Sequence, residues 1–324
     1  MSESLRVLAE RRGFHIGSCA SAQILQWDRQ YAQTLGEEFN VITPENEMKF
    51  GVVSPERGRY DFSAADAIVE FAQAKRIGVR GHVLVWHAQL PHWLVAGSLT
   101  RSALVRIMTD HITVLVGRYA GRITGWDVVN EAIGPDGKFR DSVWYQGIGP
   151  EYVEIAFRAA RAADPSARLF YNDSGIESTD EHLDAVHELL RELKRRAVPV
   201  DGVGLETHLD MDEPNGVEKL AWAMNRLGAL GLEMAVTELD VRMTAHGHPT
   251  AEQLATQAHL YRLVLRACLG SSNCDTCVLW GLTDRHSWVP HFFPGKNAAL
   301  IFDENYRKKA AYQALAEELA SSRG

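Results

Sequence analysis

The stretch Thr124-Gly125-Trp126-Asp127-Val128-Val129-Asn130-Glu131 is rich in apolar and β-branched residues and breaks off into an amide and a carboxylate. Such a run reads as a buried strand ending in polar groups. Seven more runs share the pattern. The eight candidate strands are Phe14–Ser18, Phe39–Thr43, Val79–Val85, Thr124–Val129, Arg168–Tyr171, Gly202–Leu205, Met234–Thr237 and Val278–Trp280. Amphipathic stretches separate them, among them Ala64–Lys75, Leu104–Tyr119, Tyr152–Ala162, Glu181–Arg196, Val217–Leu227 and Ala251–Cys268. Eightfold strand–helix alternation implies a parallel sheet, and the spacing predicts an α/β fold in which that sheet closes into a (β/α)8 TIM barrel. An open doubly wound sheet is disfavoured, because no glycine-rich phosphate loop follows the first strand. No linker or low-complexity segment interrupts the pattern, so residues 1–324 read as a single catalytic domain without a separate carbohydrate-binding module.

The polar residues cluster at one end of these strands. Pro44 to Lys49, His82 to His87, Asn130-Glu131, Asn172-Asp173, Glu206-Thr207-His208, Glu238-Leu239-Asp240 and Thr283-Asp284 follow seven of the eight runs. In a closed barrel the C-terminal strand ends carry the active groups. The formal net charge of −8 argues against nucleic acid, which calls for clustered Lys and Arg, but would not repel a neutral polysaccharide. No run approaches the ~20 apolar residues of a membrane span. The N-terminus lacks a signal pattern, which favours the cytoplasm, with export after signal removal as the alternative. The expected state is a monomer. Cys274 and Cys277 form a C-x-x-C that could be redox-active or half a zinc site, but no second pair or histidine cluster accompanies it. A structural bridge somewhere between Cys268 and Cys277 is the preferred reading.

Glu131 and Glu238 fall at the ends of the fourth and seventh runs, on strands that lie roughly opposite across a barrel mouth. Retaining glycoside cleavage needs such a pair, about 5–5.5 Å apart, one carboxyl ionised to attack and the other protonated to donate. A lone Glu at a strand end is more often a cap or a surface ion-pair partner. Asn130, beside Glu131, is placed to hydrogen-bond a sugar 2-hydroxyl.

Several stretches together resemble the family 10 glycoside hydrolases, the endo-β-1,4-xylanases, over nearly the whole chain. They include Thr43-Pro44-Glu45-Asn46-Glu47-Met48-Lys49, Gly81 to Pro91, Trp126-Asp127-Val128-Val129-Asn130-Glu131, Tyr171-Asn172-Asp173, Thr237-Glu238-Leu239-Asp240, Trp280-Gly281-Leu282-Thr283-Asp284 and Phe293-Pro294-Gly295-Lys296. The resemblance implies a retaining mechanism on xylan or xylo-oligosaccharides with no metal and no cofactor. It implies Glu131 as acid/base, Glu238 as nucleophile, His208 contacting the nucleophile and Asp240 orienting that histidine. Glu45, Asn46, Lys49, His82, Trp86 and Gln89 match glycone-side contacts. Trp280 and Trp288 match aromatic walls, and Tyr171 and Asn172 match the leaving-group side. Cys268 and Cys274 have the spacing of a disulfide in some secreted members, which leaves Cys19 and Cys277 unpaired.

This sequence departs from that pattern in three places. Glu206 stands where a Gln is usual, adding a third carboxyl to the centre. Ser174-Gly175 replaces an aromatic and an Asn, which should reshape leaving-side binding. The tail Asn305 to Ala310 lacks the usual Pro-containing run. The first two departures motivate an alternative, a glycosidase for short xylo-oligosaccharides or aryl and plant-metabolite β-glycosides. A sugar-binding protein without catalysis is disfavoured by the intact pair.

Overall fold

The computed structural model describes residues 3–213, 217–245 and 247–321. Its strands are β1 (His15–Ala20), β2 (Val41–Pro44), β3 (Gly78–Val85), β4 (Gly125–Asn130), β5 (Arg168–Asp173), β6 (Gly202–Leu205), β7 (His208–Asp210), β8 (Glu233–Thr244), β9 (Cys274–Leu279) and β10 (Lys296–Asn297). From β1 to β6 each strand pairs in parallel with the next, β6 pairs with β8, and β8 with β9. The parallel pairing of β9 with β1 closes the ring into the eight-stranded barrel read from the alternation. The remaining strands are accessory: β7 lies parallel to Asp240–Arg242, and β10 pairs antiparallel with Met243 and Thr244.

Helices surround the ring because their sequences offer one apolar stripe each. In Asp180–Arg195, Leu183, Val186, Leu190 and Leu193 are buried, while Glu188–Arg191 and Glu192–Arg195 pair on the exposed side. Hydroxyl N-caps start several of these helices: Thr100, Ser142, Thr179 and Thr250 each accept a backbone N–H, and Thr250 forms a capping box with Gln253. The first and last described helices meet at Glu38, whose Oε2 accepts Leu5 N at 2.9 Å and the Tyr312 hydroxyl at 2.8 Å.

Several boundaries differ from the sequence reading, three elements most of all. β8 runs on to Thr244, so Glu238 lies inside a strand rather than beyond one, and Trp280 falls just past β9. Cys274 and Cys277 both lie within β9 rather than ahead of it. Val217–Leu227 divides into a 3-10 turn at Val217–Lys219 and a helix over Leu220–Gly228. Of the bridges left open within Cys268 to Cys277, the one formed is Cys268–Cys274, which ties the helix Ala251–Gly270 to β9, while Cys19 and Cys277 are free and buried.

Irregular pairing decides what points into the barrel. Side chains alternate faces along a regular strand. In β4, Asp127 reaches His82 and Arg80 inside the barrel, and Asn130, three residues on, also points inward. That parity is possible because the β4–β5 register shifts between Asp127 and Val129. β8 does the same between Val236 and Leu239, so that consecutive Thr237 and Glu238 both reach Asn172. Glycine makes room for these groups: a Cβ on Gly204 would stand 2.0 Å from Asn172 Oδ1, and one on Gly81 2.1 Å from the Trp126 ring.

Candidate active site

Asn172, fully buried at the end of β5, is the hub of the site. Its Oδ1 accepts the Thr237 hydroxyl at 2.7 Å, which orients the amide. Its Nδ2 donates to Asn130 Oδ1 at 2.7 Å and Glu238 Oε1 at 2.9 Å, and lies 3.3 Å from Glu206 Oε1. Asn130 Nδ2 in turn donates to Glu131 Oε1 at 3.3 Å. A continuous hydrogen-bonded path therefore links the two glutamates. Three of the chain's non-glycine residues with positive φ sit around this mouth: Gln89 at 48°, Glu131 at 51° and Thr207 at 60°. Backbone held in this region carries a conformational cost that surrounding structure must offset, and such residues concentrate at functional sites.

Glu238 is buried and Glu131 half-buried, and the two carboxyls feel opposite fields. Burial pushes the Glu131 carboxyl above its ordinary range, Asp173 and Glu238 push the same way, and Arg140 opposes them. Burial would raise Glu238 as well, but the His82 and His208 rings and the Lys49 ammonium outweigh it and hold Glu238 below the ordinary carboxylate range. His208 sits between two acids, with Nδ1 2.9 Å from Asp240 Oδ2 and Nε2 3.3 Å from Glu238 Oε2. Burial disfavours its charged form, yet Asp240 and Glu238 keep it protonated up to about 10. Glu206, His208 and Glu238 have metal-like spacing, but an imidazolium bonded at both nitrogens has no lone pair for a cation.

A cleft of about 600 Å³ opens over these groups. Glu45, Asn46, Lys49, His82, Trp86 and Gln89 line one side of it, and Glu131, Glu206, Glu238, Trp280 and Trp288 also face it. Lys49 Nζ donates to Asn46 Oδ1 at 3.0 Å and stands 4.9 Å from the centre of the Trp86 ring. Burial lowers the affinity of Lys49 for its proton, against the pull of Glu238 and Glu45, while burial and Glu47 push Glu45 up to about 7. Trp280 packs edge-on to His82 at 5.2 Å. Trp288 is more than a wall: its Nε1 donates to Asp240 Oδ2 at 2.7 Å and so helps to set His208.

Two expectations are corrected. Tyr171 and Asn172 do not line the cleft, and both are fully buried. The Tyr171 hydroxyl is engaged by Asp173 and by Ile133 N, in the packing beneath the site. Other residues at the centre escaped the sequence reading. His87 Nδ1 and Arg140 Nη2 stand 3.7 and 3.9 Å from Glu131 Oε2, and Asp127 holds both His82 and Arg80. Phe292, Phe293 and Arg242 extend the aromatic wall beyond Trp288, with the Arg242 guanidinium 4.0 Å from the Phe293 ring centre. His87 lay within a quoted motif and could have been singled out. Arg140 sits nine residues after Glu131 in a loop, with no spacing rule to mark it.

A closed parallel barrel with one carboxyl of raised and one of lowered proton affinity and indole walls at one mouth fits a barrel glycoside hydrolase. The family profile of glycosyl hydrolase family 10 matches residues 4–318, and the chain belongs to that family. It is 41% identical to endo-1,4-beta-xylanase B of Thermotoga neapolitana over 97% of this chain and 90% of the relative. It is 40% identical to an endo-1,4-beta-xylanase of Agaricus bisporus over 97% and 93%. Among solved structures it superposes on xylanase 10B of Thermotoga petrophila in complex with xylobiose, with a TM-score of 0.95, 40% identity and 98% of each chain covered. Native xylanase 10B of Thermotoga maritima gives a TM-score of 0.94 at 42% identity, again with 98% of each chain covered.

Proposed function

We propose that this chain is a retaining endo-β-1,4-xylanase that cleaves internal bonds of xylan or xylo-oligosaccharides, and that the whole chain acts as one catalytic unit. The observation that carries this is the opposite proton affinity of Glu131 and Glu238, joined through Asn130 and Asn172. Glu131 keeps its proton for the leaving glycosidic oxygen, and Glu238 attacks the anomeric carbon to give a glycosyl ester. The ester removes the negative charge of Glu238, so Glu131 now ionises more readily and takes a proton from the water that hydrolyses the intermediate. His208, held by Asp240, stabilises Glu238 as anion and later as leaving group. Lys49, His82, Glu45, Asn46 and Gln89 bind glycone hydroxyls, and the indoles of Trp86, Trp280 and Trp288 pack on sugar faces. The substrate class is supported by the relatives named endo-1,4-beta-xylanases and by the related structure holding xylobiose. Reducing-sugar release from xylan by wild type against Glu238→Ala tests the reading. Equal release by both proteins would sink it, and the anomer first formed, read by proton NMR, tests retention.

A second reading follows from Ser174, a short side chain lining the cleft beyond β5, in contrast to the indoles on the opposite side. A leaving side without a ring there accepts varied aglycones, including aryl and plant-metabolite groups. Relative kcat/KM on xylan, xylobiose and an aryl xylobioside separates the two. Strong preference for the aryl substrate with little action on xylan would favour the second.

A further inference from the structure

Counting donors around the three central carboxyls leaves Glu206 with only a shared and longer bond. The Asn172 amide has two N–H groups, and its short bonds go to Asn130 Oδ1 at 2.7 Å and Glu238 Oε1 at 2.9 Å. Glu206 Oε1, at 3.3 Å from the same nitrogen, is the third claimant on two hydrogens. His208 Nε2 has a single hydrogen, 3.3 Å from Glu238 Oε2 and 3.8 Å from Glu206 Oε2. Glu238 thus takes the donors, and no other side-chain or backbone donor reaches the Glu206 carboxyl among the described residues. Glu206 lines the cleft but is only 3% exposed, and the polar atoms of Glu206, His208 and Glu238 that face one another lie within 4.8 Å. Burying a charge without partners is costly, whereas a neutral carboxyl brings a donor of its own.

We infer that Glu206 is a positioning residue for the reaction: it keeps its proton in the working enzyme and lends it as a hydrogen bond to Glu238. The inference rests on Glu238 being the nucleophile, as proposed above. The charges facing Glu206 favour this state. Asp127 on β4, Glu131 just past it, Asp173 on β5 and Glu238 on β8 are acidic, against His208 on β7 and Lys49 after β2. Burial and then these acids, Glu238 first, push the Glu206 carboxyl well above its ordinary range. The pair then holds one proton between two carboxyls, and the O–H of Glu206 fixes the rotamer of Glu238.

Infrared difference spectra of wild type minus Glu206→Gln at neutral pH read the proton directly. A protonated-carboxyl carbonyl band present only in wild type is expected; a carboxylate band in its place overturns the inference. The pH dependence of kcat/KM on a xylo-oligosaccharide reads the hydrogen bond. Glu206→Leu removes a donor from ionised Glu238, so the acidic limb should move up by roughly one unit. Glu206→Gln keeps a neutral donor and should leave that limb in place, with kcat/KM within about tenfold of wild type. A limb moving down in both variants means that Glu206 was an anion, and a limb unmoved in both means that it does not touch Glu238. Either result overturns the proposal. The infrared readout needs no turnover, so it stands if the assigned substrate is wrong.

Discussion

Glu131 just past β4 and Glu238 within β8, one half-buried and one buried, are carboxyls at one barrel mouth, yet their proton affinities diverge. Desolvation acts on both in the same direction, so it cannot be the source of the difference. Neighbours are. Around Glu238 stand His82, a protonated His208 and Lys49, whereas Glu131 has Arg140 at 3.9 Å against the charges of Asp173 and Glu238. Burial sets the need for a partner, and the local count of cations decides which carboxyl keeps its proton.

The strongest way to break this comparison is to remove the attacking group. Glu238→Ala should lower kcat on xylan by on the order of 10⁴-fold or more, measured as reducing ends, because the proposed nucleophile is gone. Glu131→Gln should cost about 10²–10⁴-fold on xylan but far less on a substrate with an acidic phenol leaving group, which needs no proton. Equal losses on both substrates would contradict the donor role. Asp240→Asn removes the largest support for the imidazolium of His208, so its pKa falls from about 10. Glu238 then loses part of the charge that lowers it, and the acidic limb of kcat/KM should rise by roughly one unit.

Arg140→Ala sharpens the other half. Arg140 lowers the affinity of Glu131 for its proton, so its loss should move the alkaline limb upward, by about half a unit. A downward shift would show that the Arg140 field acts mainly through other groups. The smallest effect on chemistry is expected at the disulfide. Replacing Cys268 and Cys274 with Ala opens a loop of sequence separation 6, which costs about 2 kcal/mol of stability by loop entropy. Thermal unfolding should show a decrease of a few degrees, with both pH limbs unmoved.

Much of this architecture was legible before any coordinates. Strand–helix alternation identified the barrel, because a parallel sheet and its crossover helices carry different hydrophobic periods. The quoted motifs placed Glu131 and Glu238 on strands that face one mouth. Tyr171 and Asn172 were misplaced for a physical reason. Both belong to a strand end, but depth within a barrel depends on stagger and register with neighbouring strands, which local sequence does not carry. The inward turn of both Thr237 and Glu238 was likewise hidden, since regular alternation would send them to opposite faces.

Chain composition and motif order suffice for the fold class and the family, and they single out the two carboxyls proposed to react. They suffice because periodicity and side-chain chemistry are local properties. The division of labour between those carboxyls is a property of the assembled molecule. Glu238 owes its lowered proton affinity to His82, His208 and Lys49, which come from three other parts of the chain, and Glu206 owes its longer bond to where the Asn172 amide points. Coulomb energies and hydrogen bonds depend on distances of a few ångströms between groups far apart in the chain. Those distances exist only once the barrel has closed.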